Sequence, residues 1–171
     1  LRERWNLDRL VLTTLHRPSN VDDPGTLAEI MRALAEISGQ TTVLFPVHPR
    51  TRARIAAAGL EPKGTKLQLA EPLGYLEFLA LQAHAALVLT DSGGIQEETT
   101  YLGVPCLTAR PNTERPVTLT QGTNRLVPST RKALLEAANE ALGGPSGPRQ
   151  EPPELWDGRA SERIASLLCN E

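Results

Sequence analysis

Short apolar runs alternate along this chain with stretches whose apolar residues fall three and four apart. Leu10 to Leu15 is the first run, followed by Thr41 to Val47, Lys66 to Ala70, Ala86 to Thr90, Val104 to Leu107 and Thr123 to Val127. Runs this short and this continuously apolar read as strands covered on both faces. Helix patterns lie between them. Asp22-Asp23-Pro24 offers a capping Asp and a Pro for the first turn, and Leu27, Ile30, Met31, Leu34 and Ile37 then line one face as far as Gly39. A short helix is predicted over Arg50–Ala58, closed by Gly59, and another over Tyr75–His84 with Leu76, Leu79 and Ala80 facing inward. A third follows Gly93-Gly94 to Leu102 and stops at Gly103, and a short one begins near Arg115. Thr130–Leu142 is amphipathic through Leu134, Leu135 and Ala138, Gly143–Pro153 reads as a Gly/Pro-rich loop, and a last helix runs from Gly158 to Leu168.

Strands alternating with helices at these spacings predict an α/β fold: a doubly wound, Rossmann-like parallel sheet of about six strands in a single domain, residues 1–171. In such folds ligands sit at the carboxyl ends of the strands. His16, His48, Ser92 and Arg115 each follow a predicted strand, which puts them on one rim.

The stretch from Val88 to Thr99 carries the strongest local chemistry. A β-type run stops at Thr90-Asp91, and Ser92-Gly93-Gly94 opens a helix. Unpaired N–H groups at a helix N-terminus favour an anion, and Gly93 and Gly94 leave no Cβ to keep it away. Ser92 can cap the helix or donate to a phosphate. Glu98 lies in the first turns, where its carboxylate can accept from sugar hydroxyls. The plainer reading is a strand–turn–helix corner with Ser92 as cap and Glu97 and Glu98 as favourable first-turn charges. Arg115, set where a helix would begin, opposes the helix dipole unless it meets an anion. Arg110 is less informative and reads as surface.

Composition narrows the classes. Hydrophobic residues make up 40% and charged residues 22% of the 171 residues, as in a soluble globular domain. A net charge of −2 and only 4% aromatics give no basis for a nucleic-acid or membrane-surface partner. No apolar run approaches a bilayer span. Cys106 and Cys169 are not closely spaced and read as buried thiols of a reducing, cytoplasmic compartment. With three histidines and no cysteine near them, metal binding is not expected. The start at Leu1, with Trp5-Asn6-Leu7 leading almost at once into a strand, reads as a fragment cut near a domain boundary.

The Val88–Thr99 stretch continues through Tyr101-Leu102-Gly103-Val104-Pro105, Asn112-Thr113-Glu114-Arg115-Pro116 and Gly122-Thr123-Asn124-Arg125. As a block it resembles the C-terminal half of the non-hydrolysing UDP-N-acetylglucosamine 2-epimerases. The resemblance extends to Leu15-His16-Arg17-Pro18-Ser19-Asn20, Phe45-Pro46-Val47-His48-Pro49-Arg50 and Trp156-Asp157-Gly158-Arg159, so it covers nearly the whole chain. The family's common His-Arg-Arg-Glu-Asn stands here as His16-Arg17-Pro18-Ser19-Asn20, so roles of the second Arg and the Glu do not carry over.

That resemblance implies one half of a two-domain glycosyltransferase-B fold. The helix within residues 154–171 would cross to an absent N-terminal domain. It implies interconversion of UDP-N-acetylglucosamine and UDP-N-acetylmannosamine by elimination and re-addition of UDP, with no cofactor and no metal. His16 would lie near the sugar as a catalytic residue. Arg17, His48, Ser92, Gly93, Gly94 and Arg115 would surround the UDP diphosphate, Glu98 the ribose, and Phe78 the uracil ring, although a lone aromatic at helical spacing is as readily a core residue. The acid–base carboxylates would lie in the other domain, so this half alone would bind UDP with little turnover. The alternatives are a hydrolysing relative, an epimerase for UDP-2,3-diacetamido sugars, a glycosyltransferase of the same fold, and a non-enzymatic UDP-sugar-binding module. Family members are commonly dimers, and bacterial ones serve polysaccharide synthesis.

Overall fold

The computed structural model describes residues 9–144 and 151–169. Trp5-Asn6-Leu7 and most of the Gly143–Pro153 loop therefore lie outside the described residues. The strands are β1 (Val11–Thr14), β2 (Val43–Pro46), β3 (Leu67–Ala70), β4 (Leu87–Thr90), β5 (Cys106–Ala109) and β6 (Asn124–Val127). They form one six-stranded sheet in the order β3-β2-β1-β4-β5-β6, with every neighbouring pair parallel. The helices are α1 (Pro18–Val21), α2 (Pro24–Ile37), α3 (Pro49–Ala57), α4 (Tyr75–His84), α5 (Gly93–Leu102), α6 (Val117–Thr120), α7 (Arg131–Gly143) and α8 (Ala160–Cys169). The expected doubly wound α/β architecture is what forms.

The sheet carries an apolar layer on each face. Val11, Phe45, Leu87 and Leu89 join Ile30 and Leu34 of α2 and Leu134 and Ala138 of α7 on one side. Leu12, Leu44 and Val88 meet Leu81 of α4 on the other, with Ile95 and Leu102 of α5 packed against them. Each fully buried leucine contributes about 1.5–3 kcal/mol, so both layers are needed to offset the chain entropy. The edge strands show the other pattern: Gln68 in β3 and Arg125 in β6 face water. No described helix is long and apolar enough to cross a membrane.

Local signals set most boundaries. Asp23 caps α2 by accepting from Thr26 N–H at 2.7 Å, with Pro24 in the first turn. Gly103 ends α5 in the left-handed region at φ 65°, where a side chain would be strained. The strand expected over Val104–Leu107 runs instead over Cys106–Ala109. Pro105 has no N–H to give the ladder, and only its carbonyl takes part, accepting from Val88. The short helix α1 was not expected, and α6 begins at Val117, past Arg115. In α4 the inward arc includes Leu81 and Gln82, with Phe78 packed at its edge, so Leu76 is 78% exposed rather than inward-facing. Cys106 is buried, which pushes its thiol up to about 11, but Cys169 is exposed, contrary to the expectation of two buried thiols. No residue of α8 is buried, and Ile164, Leu167 and Leu168 face outward.

Gly122 lies between α6 and β6, close to Thr100 of α5. A Cβ there would come within 2.6 Å of Thr100 Cγ2 and of the Thr118 carbonyl oxygen. Gly122→Ala is expected to destabilise the domain by roughly 1–3 kcal/mol in urea unfolding, the usual cost of overpacking. Adding Thr100→Ala should restore only part of the loss, because the Thr118 backbone stays in the way.

Candidate functional site

The strand order reverses between β1 and β4, and the two turns leaving these strands face each other there. Such a switch point is where open α/β sheets bind ligands. Register pairs Thr14 with Thr90, so His16-Arg17 and Asp91-Ser92 emerge side by side.

Asp91 joins the two turns. Its carboxylate is fully buried and accepts the main-chain N–H of His16 at 3.1 Å, that of Arg17 at 2.9 Å and the Asn20 side-chain amide at 3.0 Å. His16 Nδ1 lies 3.0 Å from Asp91 Oδ1. Burial pushes the Asp91 carboxyl up, but these hydrogen bonds, from His16 first and then Asn20 and Arg17, outweigh it and the net direction is down. The hydrogen bond to Asp91 raises His16 above its ordinary value; partial burial and the neighbouring Arg17 charge only reduce that effect. Asn20 is held in turn. Its amide also donates to the Ala109 carbonyl, and its oxygen accepts from Ser129, so β1, β4, β5 and the start of α7 meet on one buried polar chain.

The α5 terminus lies beside this junction. Ser92 occupies the N-cap position, yet its side chain makes no cap bond. A Cβ added at Gly93 or Gly94 would meet nothing within 4 Å, so no neighbouring group crowds the first turn of α5 at these two positions. Glu98, further along the helix, has its Oε2 buried with no hydrogen-bond partner. An unmet carboxylate oxygen of this kind costs on the order of 1–3 kcal/mol or more.

A second polar network fixes the loop between β5 and α6. Gln96 accepts from Thr113 Oγ1 and from the Asn124 amide, and its own amide donates to the Ser92 carbonyl. Thr113 Oγ1 in turn accepts the Arg115 N–H at 3.0 Å. Arg115 pairs with Glu97, Nε to Oε1 at 2.8 Å. Glu97 therefore meets the unfavourable position that had hinted at a ligand for Arg115. Arg110, expected at the surface, is buried and grips Glu114 with both guanidinium nitrogens at 2.7 and 2.9 Å. That grip holds the Glu114 carboxyl down to about 2. Arg17 reaches the same carboxylate at 3.8 Å.

His48 caps α3, its Nδ1 accepting from Arg50 N–H at 3.3 Å, with the side chain exposed on the same rim. Phe78 is half-buried against the apolar layer under α4. His16, Arg17, Ser92, Gly93 and Gly94 are thus brought to one junction, and Arg115 reaches it through Glu97 on α5. His48 stands at the start of α3 and Phe78 lies within α4, so neither is part of this junction. Asp91, Asn20, Gln96 and Arg110 were not singled out from sequence. A charged residue one position beyond Thr90, at the end of the apolar run Leu87–Leu89, was the available signal. Among the described residues no group of His, Cys, Asp or Glu could hold a metal ion.

Comparison with known proteins gives a consistent match. The sequence profile of the family described as UDP-N-acetylglucosamine 2-epimerase matches residues 1–169. The chain is 40% identical over 166 residues to the UDP-N-acetylglucosamine 2-epimerase of Methanocaldococcus jannaschii, covering 94% of this chain and 44% of that protein. It is 42% identical over 164 residues to the UDP-2,3-diacetamido-2,3-dideoxy-D-glucuronate 2-epimerase of Pseudomonas aeruginosa, with 95% and 45% covered. The crystal structure of the M. jannaschii enzyme in complex with UDP-GlcNAc and UDP superposes with a TM-score of 0.82 at 39% identity, covering 95% of this chain and 45% of that one. The chain spans just under half the length of these relatives.

Asn20→Ala would leave Asp91, Ala109 and Ser129 each short of a partner, and a loss of about 1–3 kcal/mol is expected in denaturant unfolding. The His16–Asp91 pair should also appear in the pH dependence of stability. A histidine raised on folding contributes stability that is fully present below its ordinary 6.5 and lost as pH rises through its higher folded value. Between pH 6.5 and the alkaline side of that value, the urea midpoint should therefore fall in the wild type and stay flat in His16→Gln. Parallel curves would remove His16 as the titrating group.

Proposed function

The chain belongs to the UDP-N-acetylglucosamine 2-epimerase family, and from that premise we propose that it is the nucleotide-binding half of an enzyme that interconverts UDP-N-acetylglucosamine and UDP-N-acetylmannosamine. The diphosphate lies over the Gly93-Gly94 amides and the Ser92 hydroxyl, with Arg17, His48 and Arg115 around it. The ribose hydroxyls meet Glu98, and the uracil ring lies by Phe78. His16 faces the sugar.

The observation that carries this reading is the pairing of a helix N-terminus that no side chain caps with an unmet carboxylate oxygen on the same helix. Glu98 lies four residues beyond Gly94, about 6 Å along the axis. One end of α5 thus offers donors to an anion, while the buried Glu98 oxygen lacks one. A nucleoside diphosphate supplies an anion and hydroxyl donors at about that spacing. The M. jannaschii relative, whose complex holds UDP-GlcNAc and UDP, supports the same ligand class.

Elimination breaks the bond from sugar C1 to the diphosphate oxygen, and the electron pair leaves with UDP. Charge grows on the departing oxygens, so fixed donors around them lower the barrier. The proton lost from C2 needs a base and its return an acid, which this reading assigns to carboxylates outside this chain. The exposed Ile164, Leu167 and Leu168 of α8 support a second domain that covers them. The P. aeruginosa relative favours one variant of the proposal, a diacetamido sugar on the same UDP site.

Calorimetric titration of the chain with UDP and with uridine tests the site. UDP should bind at least about tenfold more tightly than uridine, and Ser92→Ala and Glu98→Ala should each weaken UDP by about tenfold to a hundredfold, the loss of one hydrogen bond to a charged group. No binding by a folded chain, or binding indifferent to both variants, would overturn the proposal. NMR analysis of the sugars formed by the full-length enzyme would separate the two substrates.

A further inference from the structure

We propose that Asp91 is a positioning residue that fixes the His16 ring with its Nδ1–H turned into the fold, leaving Nε2 as the one ring atom through which His16 meets a ligand and exchanges a proton. The inference rests on the rim being the nucleotide-sugar site, and it assigns a task to a residue that itself touches no ligand.

The geometry allows Asp91 little freedom. Its carboxylate has no solvent contact, so it cannot exchange these partners for water. Oδ1 takes the His16 main-chain N–H at 3.1 Å and faces Nδ1 of the same residue at 3.0 Å, so backbone and ring are gripped from one point. Oδ2 is taken by Arg17 N–H and by the Asn20 amide, and Asn20 is anchored by Ala109 and Ser129. A carboxylate rotated away from His16 would strand all of these donors in a buried place.

An ionised carboxylate can only accept. A ring nitrogen 3.0 Å from it must therefore carry the hydrogen whether the imidazole is neutral or charged. In the neutral ring that leaves a lone pair on Nε2, able to accept a proton. In the cation Nε2–H becomes a donor, suited to an oxygen on which charge is growing. The ring is more than half exposed, so its outer edge is open to the rim. The other charges near it are Arg17 from its own turn and the Arg110–Glu114 pair from the β5–α6 loop. Arg17 opposes the cation, whereas Arg110 and Glu114 largely cancel.

The test is ¹⁵N NMR of the histidine ring nitrogens in this chain. At a pH above the titration midpoint, wild-type His16 should show a protonated Nδ1 and a bare Nε2, the reverse of the tautomer an unconstrained histidine side chain favours. Its midpoint should lie above 6.5. In Asp91→Asn the amide can turn an N–H to the ring, so the tautomer should switch and the midpoint fall to 6.5 or lower. A neutral Nε2–H tautomer in the folded wild type would overturn the inference, as would an unchanged midpoint in a folded Asp91→Asn. If that variant does not fold, the wild-type tautomer decides alone. UDP added to the same samples keeps the two proposals apart. Rim signals that ignore UDP would sink the nucleotide reading, and the tautomer would still decide the role of Asp91.

Discussion

One buried carboxylate holds the working end of this domain together. Asp91 stands where the strand order reverses, and the first turn after β1 takes its shape by donating to it. Removing a carboxylate from water is costly, and here that cost is offset by N–H groups which would otherwise be unpaired themselves. The arrangement is therefore mutual. The β1–α1 turn needs Asp91 to satisfy its amides, and Asp91 needs the turn to remain ionised in the interior. Through Asn20 the same requirement reaches β5 and the start of α7. Four segments far apart in sequence are thus registered to within a hydrogen bond, which is the tolerance a binding site requires.

Most of the fold was legible in the sequence because its signals are local. Six apolar runs became six parallel strands, and the Asp23-Pro24 start and Gly103 stop mark α2 and α5 as written. What escaped depended on long-range pairing. The start of β5 turned on which Pro105 atom the neighbouring strand uses, and Leu76 lies off the inward arc of α4 because the helix rotates to bury Leu81 and Gln82. The site divides in the same way. Ser92, Gly93 and Gly94 announce themselves by a strand–turn–helix pattern. Asp91 and Asn20 acquire meaning only when β1 and β4 become neighbours, and Arg110 looked like a surface residue because Glu114 returns to it only through the curve of its loop.

The rim is also rigid in a particular manner. Gln96 ties the α5 terminus to Thr113 and Asn124, so the loop bearing Arg115 and the helix bearing Gly93 move as one unit. At the proposed site, donors held in this way would need little reorganisation when charge appears on a ligand. Glu98 departs from this pattern, since its buried Oε2 has no donor, and Thr100 Oγ1 on the same helix also has no partner. Such a group stores a cost that an incoming hydroxyl can relieve.

The ion pair between Arg115 and Glu97 has one more consequence, for how affinity should respond to ionic strength. An open arginine cluster attracts mobile anions from solution, and a phosphate that displaces them gains from their release; such binding weakens steeply with salt. Here Arg115 is already neutralised by a tethered carboxylate 2.8 Å away, and Arg110 by Glu114. A phosphate arriving at Arg115 would displace a carboxylate tethered to the chain and free few mobile ions. Because Glu97 and Arg115 are both partly exposed, their own attraction is weak and the exchange is easy. The carboxylate acts as a built-in counterion, so at the proposed site recognition would depend on the fit of the diphosphate rather than on the salt content of its surroundings.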